Sequence, residues 1–241
     1  MSERREIKVC LTPDLFPIYT DRKSIVVVVD VLRATSAMCT AFHHGINKII
    51  PVSTVEDALD YRDAENHILA AERNGKMVRG FDFGNSPLQY QNTNVKGKTL
   101  VMTTTNGTKA INIAKEDHQV VVGSFLNIDA LVAWLEQQEE EVIILCAGWK
   151  GDFCFEDTLF AGALSEKLVQ TKRFYADSDS ANGARMMYRN AQEDMFAFLD
   201  FSQHRKRLAH LDIVHDVQFC LQENTTSVIP VLKGDDLVLV K

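Results

Sequence analysis

The sequence predicts an α/β protein with a three-layer α/β/α build around a mostly parallel or mixed sheet. Three observations carry this. The run Ile25-Val-Val-Val-Val29 is apolar without alternation, as expected of a strand covered on both faces. Strand-like runs alternate with amphipathic stretches from Ile7 to Val169. The 241 residues are 46% hydrophobic and 24% charged, enough apolar material for one large core.

In order, the expected strands are Ile7–Leu11, Ile25–Val31, Lys48–Val52, His67–Ala71, Thr99–Thr103, Val120–Ser124 and Glu141–Ala147. Between them lie helical patterns. Ala34–His44 places Ala37, Met38, Ala41 and Phe42 at helical spacing. Thr54–Ala64 opens on a capping-box pattern, and Asn85-Ser86-Pro87 reads as a cap followed by a first-turn proline. Asp129–Gln138 and Asp157–Val169 are further helices. Beyond Lys172 the pattern turns helical at Ser178–Leu199, Ser202–Leu211 and Asp212–Gln222, then closes on strands Ser227–Leu232 and Leu237–Val240. With no repeat or flexible linker, residues 1–241 read as a single α/β domain. Two similar lobes dividing near 125–140 are the alternative.

The balance of 26 Lys and Arg against 33 Asp and Glu gives a net charge of −7, which argues against a nucleic-acid partner. No stretch reaches the roughly 18 apolar residues of a membrane span, and no signal peptide opens the chain. The odd count of five cysteines, with no Cys-x-x-Cys, gives no disulfide framework and points to the reducing cytoplasm. A homodimer is compatible with the sequence.

In open α/β sheets ligands gather beyond the carboxyl ends of strands, where free helix N–H groups favour anions. Five such places carry chemistry. In Asp30-Val-Leu-Arg33-Ala-Thr-Ser36 the carboxylate suits Mg²⁺ or attack on phosphorus, and Arg33 suits a phosphate, although a cap with its pairing arginine reads equally well. Thr103-Thr104-Thr105-Asn106-Gly107-Thr108 is a hydroxyl-rich turn able to close around an anion, and is not a Walker loop. Glu72-Arg73-Asn74-Gly75, followed by Gly80 to Pro87, adds two acids, Glu72 and Asp82; a surface loop with caps is the alternative. Cys146-Ala-Gly148-Trp-Lys-Gly151 with Glu156-Asp157-Thr158 adds close-approach glycines and a helix-start acid pair that the dipole alone would explain. In Ser202-Gln-His204-Arg205-Lys-Arg207, His204 could serve as a general acid and Arg207 could add charge; a solvated basic face competes.

These segments, in this order, resemble the 2-phosphosulfolactate phosphatase family from about Val9 to Leu232. The resemblance implies a three-layer α/β/α fold and Mg²⁺-dependent hydrolysis of 2-phospho-3-sulfolactate, a small anionic phosphorylated substrate, in some organisms on the way to coenzyme M. Carried onto this chain, it implies Asp30, Arg33 and His204 as catalytic, and Asp30, Glu72 and Asp157 as metal ligands. Arg33, Ser36, Arg73, Asn85, Thr104, Thr105, Asn106, Gly107, Thr108, Gly148 and Arg207 are the implied substrate contacts. Other small phospho-carboxylates, or a non-catalytic anion receptor, are the competing functions. The chain departs from the family pattern at Ala71, where Gly is usual, and at Asp152-Phe-Cys154-Phe155, where a small polar run is expected.

Overall fold

The computed structural model describes residues 4–20, 23–91, 93–116, 118–208, 211 and 213–240. Its first half contains β1 (Arg5–Cys10), β2 (Ile25–Val29), α1 (Ala34–His43), β3 (Lys48–Pro51), α2 (Val55–Leu59), β4 (His67–Arg73) and β5 (Lys76–Met77). Then come α3 (Pro87–Gln91), β6 (Thr99–Thr103), α4 (Gly107–Ala114), β7 (Gln119–Gly123), α5 (Ile128–Glu136) and β8 (Val142–Cys146). The remainder comprises α6 (Phe155–Gln170), β9 (Phe174–Tyr175), α7 (Asp179–Ala191), α8 (Met195–Phe198), α9 (Gln203–Leu208), α10 (Val214–Cys220), β10 (Pro230–Lys233) and β11 (Asp236–Leu239).

The strands form one mixed sheet in the order β5-β4-β6-β3-β11-β10-β7-β2-β8-β1-β9. Every residue of β2 is buried, and its side chains alternate between two cores. Ile25, Val27 and Val29 pack with Ile7, Leu159 and Phe160 on the face covered by α5 and α6. Val26 and Val28 pack with Met38, Phe42 and Ile111 on the face covered by α1 and α4. A β-branched run serves both faces because neither meets water.

Most of the sheet is two parallel half-sheets, β4-β6-β3 and β7-β2-β8-β1-β9, with β5 antiparallel on the edge beside β4. They do not follow the chain: β1 and β2 share a half with β7, β8 and β9. The hairpin β10–β11 joins them, pairing antiparallel to β7 through Val231–Val121 and to β3 through Leu237–Ile49. Three antiparallel steps in succession reverse the sense, so the two halves run in opposite directions along the sheet.

Local expectations differ from the structure in a few places. The helix expected over Thr54–Ala64 keeps its capping box, with Thr54 Oγ1 accepting the Asp57 N–H and Asp57 accepting that of Thr54, but ends at Leu59. Of its five residues only Ala58 is buried, and Asp60, Asp63 and Glu65 add charge without an apolar stripe. The Ser178–Leu199 helix breaks after Ala191, where Asp194 caps a new start by accepting the Ala197 N–H. The expected Asp212–Gln222 helix begins at Val214; Asp212 lies outside the described residues. The short edge strands β5 and β9 are too brief to show any period.

Helices α6 and α7 approach so closely that a Cβ on Gly162 would stand 2.1 Å from the Ala184 carbonyl oxygen. Glu166 of α6 accepts hydrogen bonds from Arg185 (2.9 Å) and Arg189 (2.9 and 3.0 Å) of α7. Burial opposes its ionisation, but the two arginines hold its carboxyl below the usual range. A depressed folded pKa adds stability above the unfolded value, about 4.3, and that stability fades as pH falls through the folded value. Glu166→Gln is therefore expected to destabilise by about 1 kcal/mol at pH 7. In urea melts this difference should close below about pH 4; a difference constant with pH would refute the ionic contribution.

Candidate active site

The carboxyl ends of β2, β4 and β6 meet the start of α9 around one narrow cleft lined by Asp30, Arg33, Glu72, Asn85, Asn106 and His204, with Leu32, Gly75 and Trp149 closing it. Asp30 ends the apolar β2 run, and the next turn is locked locally. The Asp30 carbonyl accepts from the Thr35 N–H at 3.0 Å and the Thr35 hydroxyl at 2.9 Å, and the Asp30 carboxylate accepts the Ala34 N–H at 3.4 Å. Burial pushes the Asp30 carboxyl up to about 6. His204 and the Ala34 N–H oppose this, while the nearby Glu72 and Glu156 add to it. The cleft therefore holds negative charge in need of a counter-charge.

Glu72 is buried and accepts hydrogen bonds from the Gly75 N–H, the Thr105 N–H (3.3 Å) and the Thr105 hydroxyl (3.2 Å). Asn85 is 6% exposed, and its Oδ1 has no hydrogen-bond partner among the described residues. An unpaired buried amide oxygen is costly unless something electropositive faces it. Two carboxylates and this oxygen form a hard donor set of the kind that fits Mg²⁺.

Arg33 is buried and bound on two sides. Nη1 donates to Asp216 Oδ2, and Nη2 donates to the Gly75 carbonyl at 2.9 Å. Asp216, from α10, also accepts the Ser86 hydroxyl at 2.6 Å, which steadies the carboxylate that holds the arginine. His204 donates from Nδ1 to Glu156, and its ring lies 5.2 Å from that of Trp149. Burial resists ionisation of Glu156, yet the hydrogen bond and charge of His204 prevail and hold its carboxyl low. Trp149 and His204 also line an outer cavity of 420 Å³ with Phe153, Phe201 and Arg207, whose guanidinium sits 4.5 Å above the Trp149 ring.

The other expected residues are distributed around this centre. Asp157 is buried, with Oδ1 accepting the Val31 N–H at 2.9 Å and Oδ2 the Gly148 N–H at 3.0 Å. It thus clamps the loop after β2 to the loop after β8. Burial, with Glu156 and Asp30 beside it, raises its carboxyl well above the usual range, against the pull of the two N–H groups. Among the described residues, Asp30, Glu72 and Asp157 do not meet as a set of ligand atoms within 4.8 Å; Cys154, Glu156 and His204 do. Gly148 has φ +60°, and a Cβ there would stand 2.4 Å from the Asp152 carbonyl oxygen. Thr104 and Thr108 exchange hydrogen bonds with each other at 3.1 Å, which fixes the start of α4. Thr104, Thr105 and Arg73 line a second cavity of 570 Å³, which Asp30 and Glu72 do not line. Ser36 lies away from the cleft, its hydroxyl bonded to the Val31 carbonyl (2.9 Å) and Ser124 (3.0 Å).

Gly107 packs directly on the turn that follows β2: an added Cβ would stand 2.7 Å from Ala34 Cβ and 2.9 Å from Asp30 Oδ2. Gly107→Ala is expected to destabilise by about 1–3 kcal/mol and to lower kcat/KM at least about tenfold by displacing Asp30. Gly183→Ala, with nothing within 4 Å, is the control and should leave both unchanged or slightly raise stability.

Sequence reasoning explained Glu156 by the helix dipole and gave neither Asp216 nor Trp149 a role. Their significance is tertiary: each meets its partner across more than 45 residues. The family model described as 2-phosphosulpholactate phosphatase matches residues 10–235. A probable 2-phosphosulfolactate phosphatase of Caldanaerobacter subterraneus subsp. tengcongensis is 38% identical over 212 residues, spanning 87% of this chain and 88% of its own. The protein of the same name from Thermotoga petrophila is 38% identical over 213 residues, 88% of this chain and 91% of its own. That from Clostridium perfringens is 32% identical over 241 residues, 98% and 97%. With matches covering nearly the whole chain and every segment of the cleft, the chain belongs to the 2-phosphosulfolactate phosphatase family, a family of phosphoric-monoester hydrolases.

Proposed function

We propose that this protein hydrolyses 2-phospho-3-sulfolactate to 3-sulfolactate and phosphate in the cytoplasm, with Mg²⁺ as its cofactor. The observation that carries the reading is the pairing of uncompensated carboxylates and an orphan amide oxygen with a buried arginine and histidine in one cleft. A pure anion receptor has no use for Asp30 and Glu72 beside its ligand. Asp30, Glu72 and Asn85 Oδ1 would hold the Mg²⁺, which when bound neutralises phosphoryl charge and acidifies water. Asp157 supports that set from behind, by fixing the loop that follows Asp30.

The chain's own groups supply the rest. Arg33, aimed by Asp216, meets an anionic oxygen of the substrate with its remaining donors. His204 faces Asp30 and gives its proton to the leaving oxygen as the P–O bond breaks. Glu156 fixes the imidazole's tautomer through Nδ1, leaving Nε2 to act. Arg207 and Lys150, both on Trp149, add positive charge at the outer mouth, where the sulfonate or carboxylate would lie. A phospho-aspartate trapped at Asp30 would identify the nucleophile as its carboxylate; none would leave water in that role.

The test is phosphate release from 2-phospho-3-sulfolactate with Mg²⁺, with EDTA, and with Mg²⁺ restored. Turnover that is lost in EDTA and recovered with Mg²⁺ is expected. Turnover indifferent to EDTA would remove the metal from the reading. Faster hydrolysis of a phospho-carboxylate without a sulfonate would shift the substrate. No turnover of either would favour the receptor.

A further inference from the structure

The wall between the cleft and the outer cavity holds donors of a different character from the oxygen set. Ligand atoms of Cys154, Glu156 and His204 all lie within 4.8 Å of one another, and all three residues are buried. We propose that this trio is a second metal site, one that takes a borderline or soft divalent cation such as Zn²⁺ and thereby inhibits the enzyme. The inhibitory part rests on the role of His204 given above; the site itself does not.

The donor chemistry separates the two metals. A thiolate, an imidazole and a carboxylate make a three-ligand set typical of Zn²⁺ with one position open. Mg²⁺ demands oxygen ligands in octahedral array and has little affinity for sulfur. Cys154 and His204 both line the 420 Å³ cavity, so the open position faces solvent and the ion has a way in.

Without metal the three groups satisfy one another. Glu156 accepts the His204 Nδ1–H and, at 3.4 Å, the Ser202 hydroxyl, with the Cys154 sulfur within 4.8 Å of the pair. A cation entering here takes Nδ1 and the thiolate, and expels both protons to solvent. Burial, with Glu156 and Asp157 beside it, keeps the thiol protonated far above its usual range. Binding therefore releases protons and strengthens as pH rises. Once Nδ1 is metal-bound, Glu156 no longer orients the ring and the general acid is misplaced.

The full-length protein, saturated with Mg²⁺, is titrated with Cd²⁺ and followed by thiolate-to-metal charge-transfer absorption, then with Zn²⁺ and followed by phosphate release. The expected result is a band that saturates at a single equivalent, is lost in Cys154→Ser, and needs roughly 10–100-fold more metal in His204→Gln. Zn²⁺ should inhibit the wild type in parallel. Co²⁺ spectra of the wild type, showing a tetrahedral sulfur-containing site, give the same answer should Cys154→Ser not fold. No band, or a band that survives Cys154→Ser and so arises from Cys10, Cys39, Cys146 or Cys220, would overturn the site. A band without inhibition would overturn the inhibitory role and the placement of His204 as acid, and would leave the Mg²⁺ reading standing.

Discussion

Asp30→Asn is expected to lower kcat by roughly 10³-fold or more, corresponding to about 4 kcal/mol. The substitution keeps shape and leaves an oxygen for the Ala34 N–H, so the β2–α1 turn should survive. What it removes is the charge at the centre of the cleft. With Asp30 neutral, Glu72 and Glu156 lose a repelling neighbour, so the variant should fold at least as stably as the wild type. The combination of unchanged or raised stability with collapsed turnover marks a functional carboxylate held against its own preference. Thermal melts and single-turnover phosphate release on the same preparation check it. Turnover within about tenfold of wild type would remove Asp30 from both the metal and nucleophile roles.

Arg33→Ala should fail in two separable ways. Deleting the guanidinium leaves Asp216 buried with, among the described residues, only the Ser86 hydroxyl on its carboxylate, and breaking one side of a buried ion pair costs about 3–5 kcal/mol of stability. It should also forfeit about 2–4 kcal/mol of transition-state binding, by unpairing a substrate anion. The double variant Arg33→Ala/Asp216→Leu separates the two. Removing both charges should recover most of the stability in urea melts while kcat/KM stays low. If the double variant remains as unstable as Arg33→Ala, the ion pair is not what Arg33 contributes to the fold. If Arg33→Ala loses less than about threefold in kcat/KM, the arginine does not grip the substrate.

Much of this architecture was legible because its signals are local. The seven strands expected before α6 all exist, each shifted by no more than two residues at either end, since unbroken β-branched runs declare a doubly covered sheet. The direction of the joining hairpin was not legible, because Pro230–Lys233 and Asp236–Leu239 read the same whichever neighbour they pair with. At the site, Asp30, Glu72 and Asn106 are legible because each stands at or just beyond the carboxyl end of a strand, whereas Asn85, just ahead of α3, reads locally as a helix cap and joins them only through the family resemblance. Arg33 illustrates the limit. Its position suggested a partner in its own turn, but the partner is Asp216, 183 residues away. Glu156 is similar: a helix-start acid explains itself locally, so nothing in the sequence asks for His204. The threonine turn was read as one ligand-facing surface, whereas Thr104 and Thr108 spend their hydroxyls on the helix start and Thr105 spends its own on Glu72.

The hairpin β10–β11 has a consequence for how the protein is made. It occupies the middle of the sheet yet is translated after every other strand. Until it leaves the ribosome, β3 and β7 each present an open, apolar edge, Lys-Ile-Ile-Pro and Gln-Val-Val-Val-Gly, to whatever is nearby. Nascent chains queued on one message carry the same two edges at close quarters. The molecule is thus most prone to pair with its siblings in the interval before its last strands arrive, and holding that interval short or shielded is a demand the fold places on the cell.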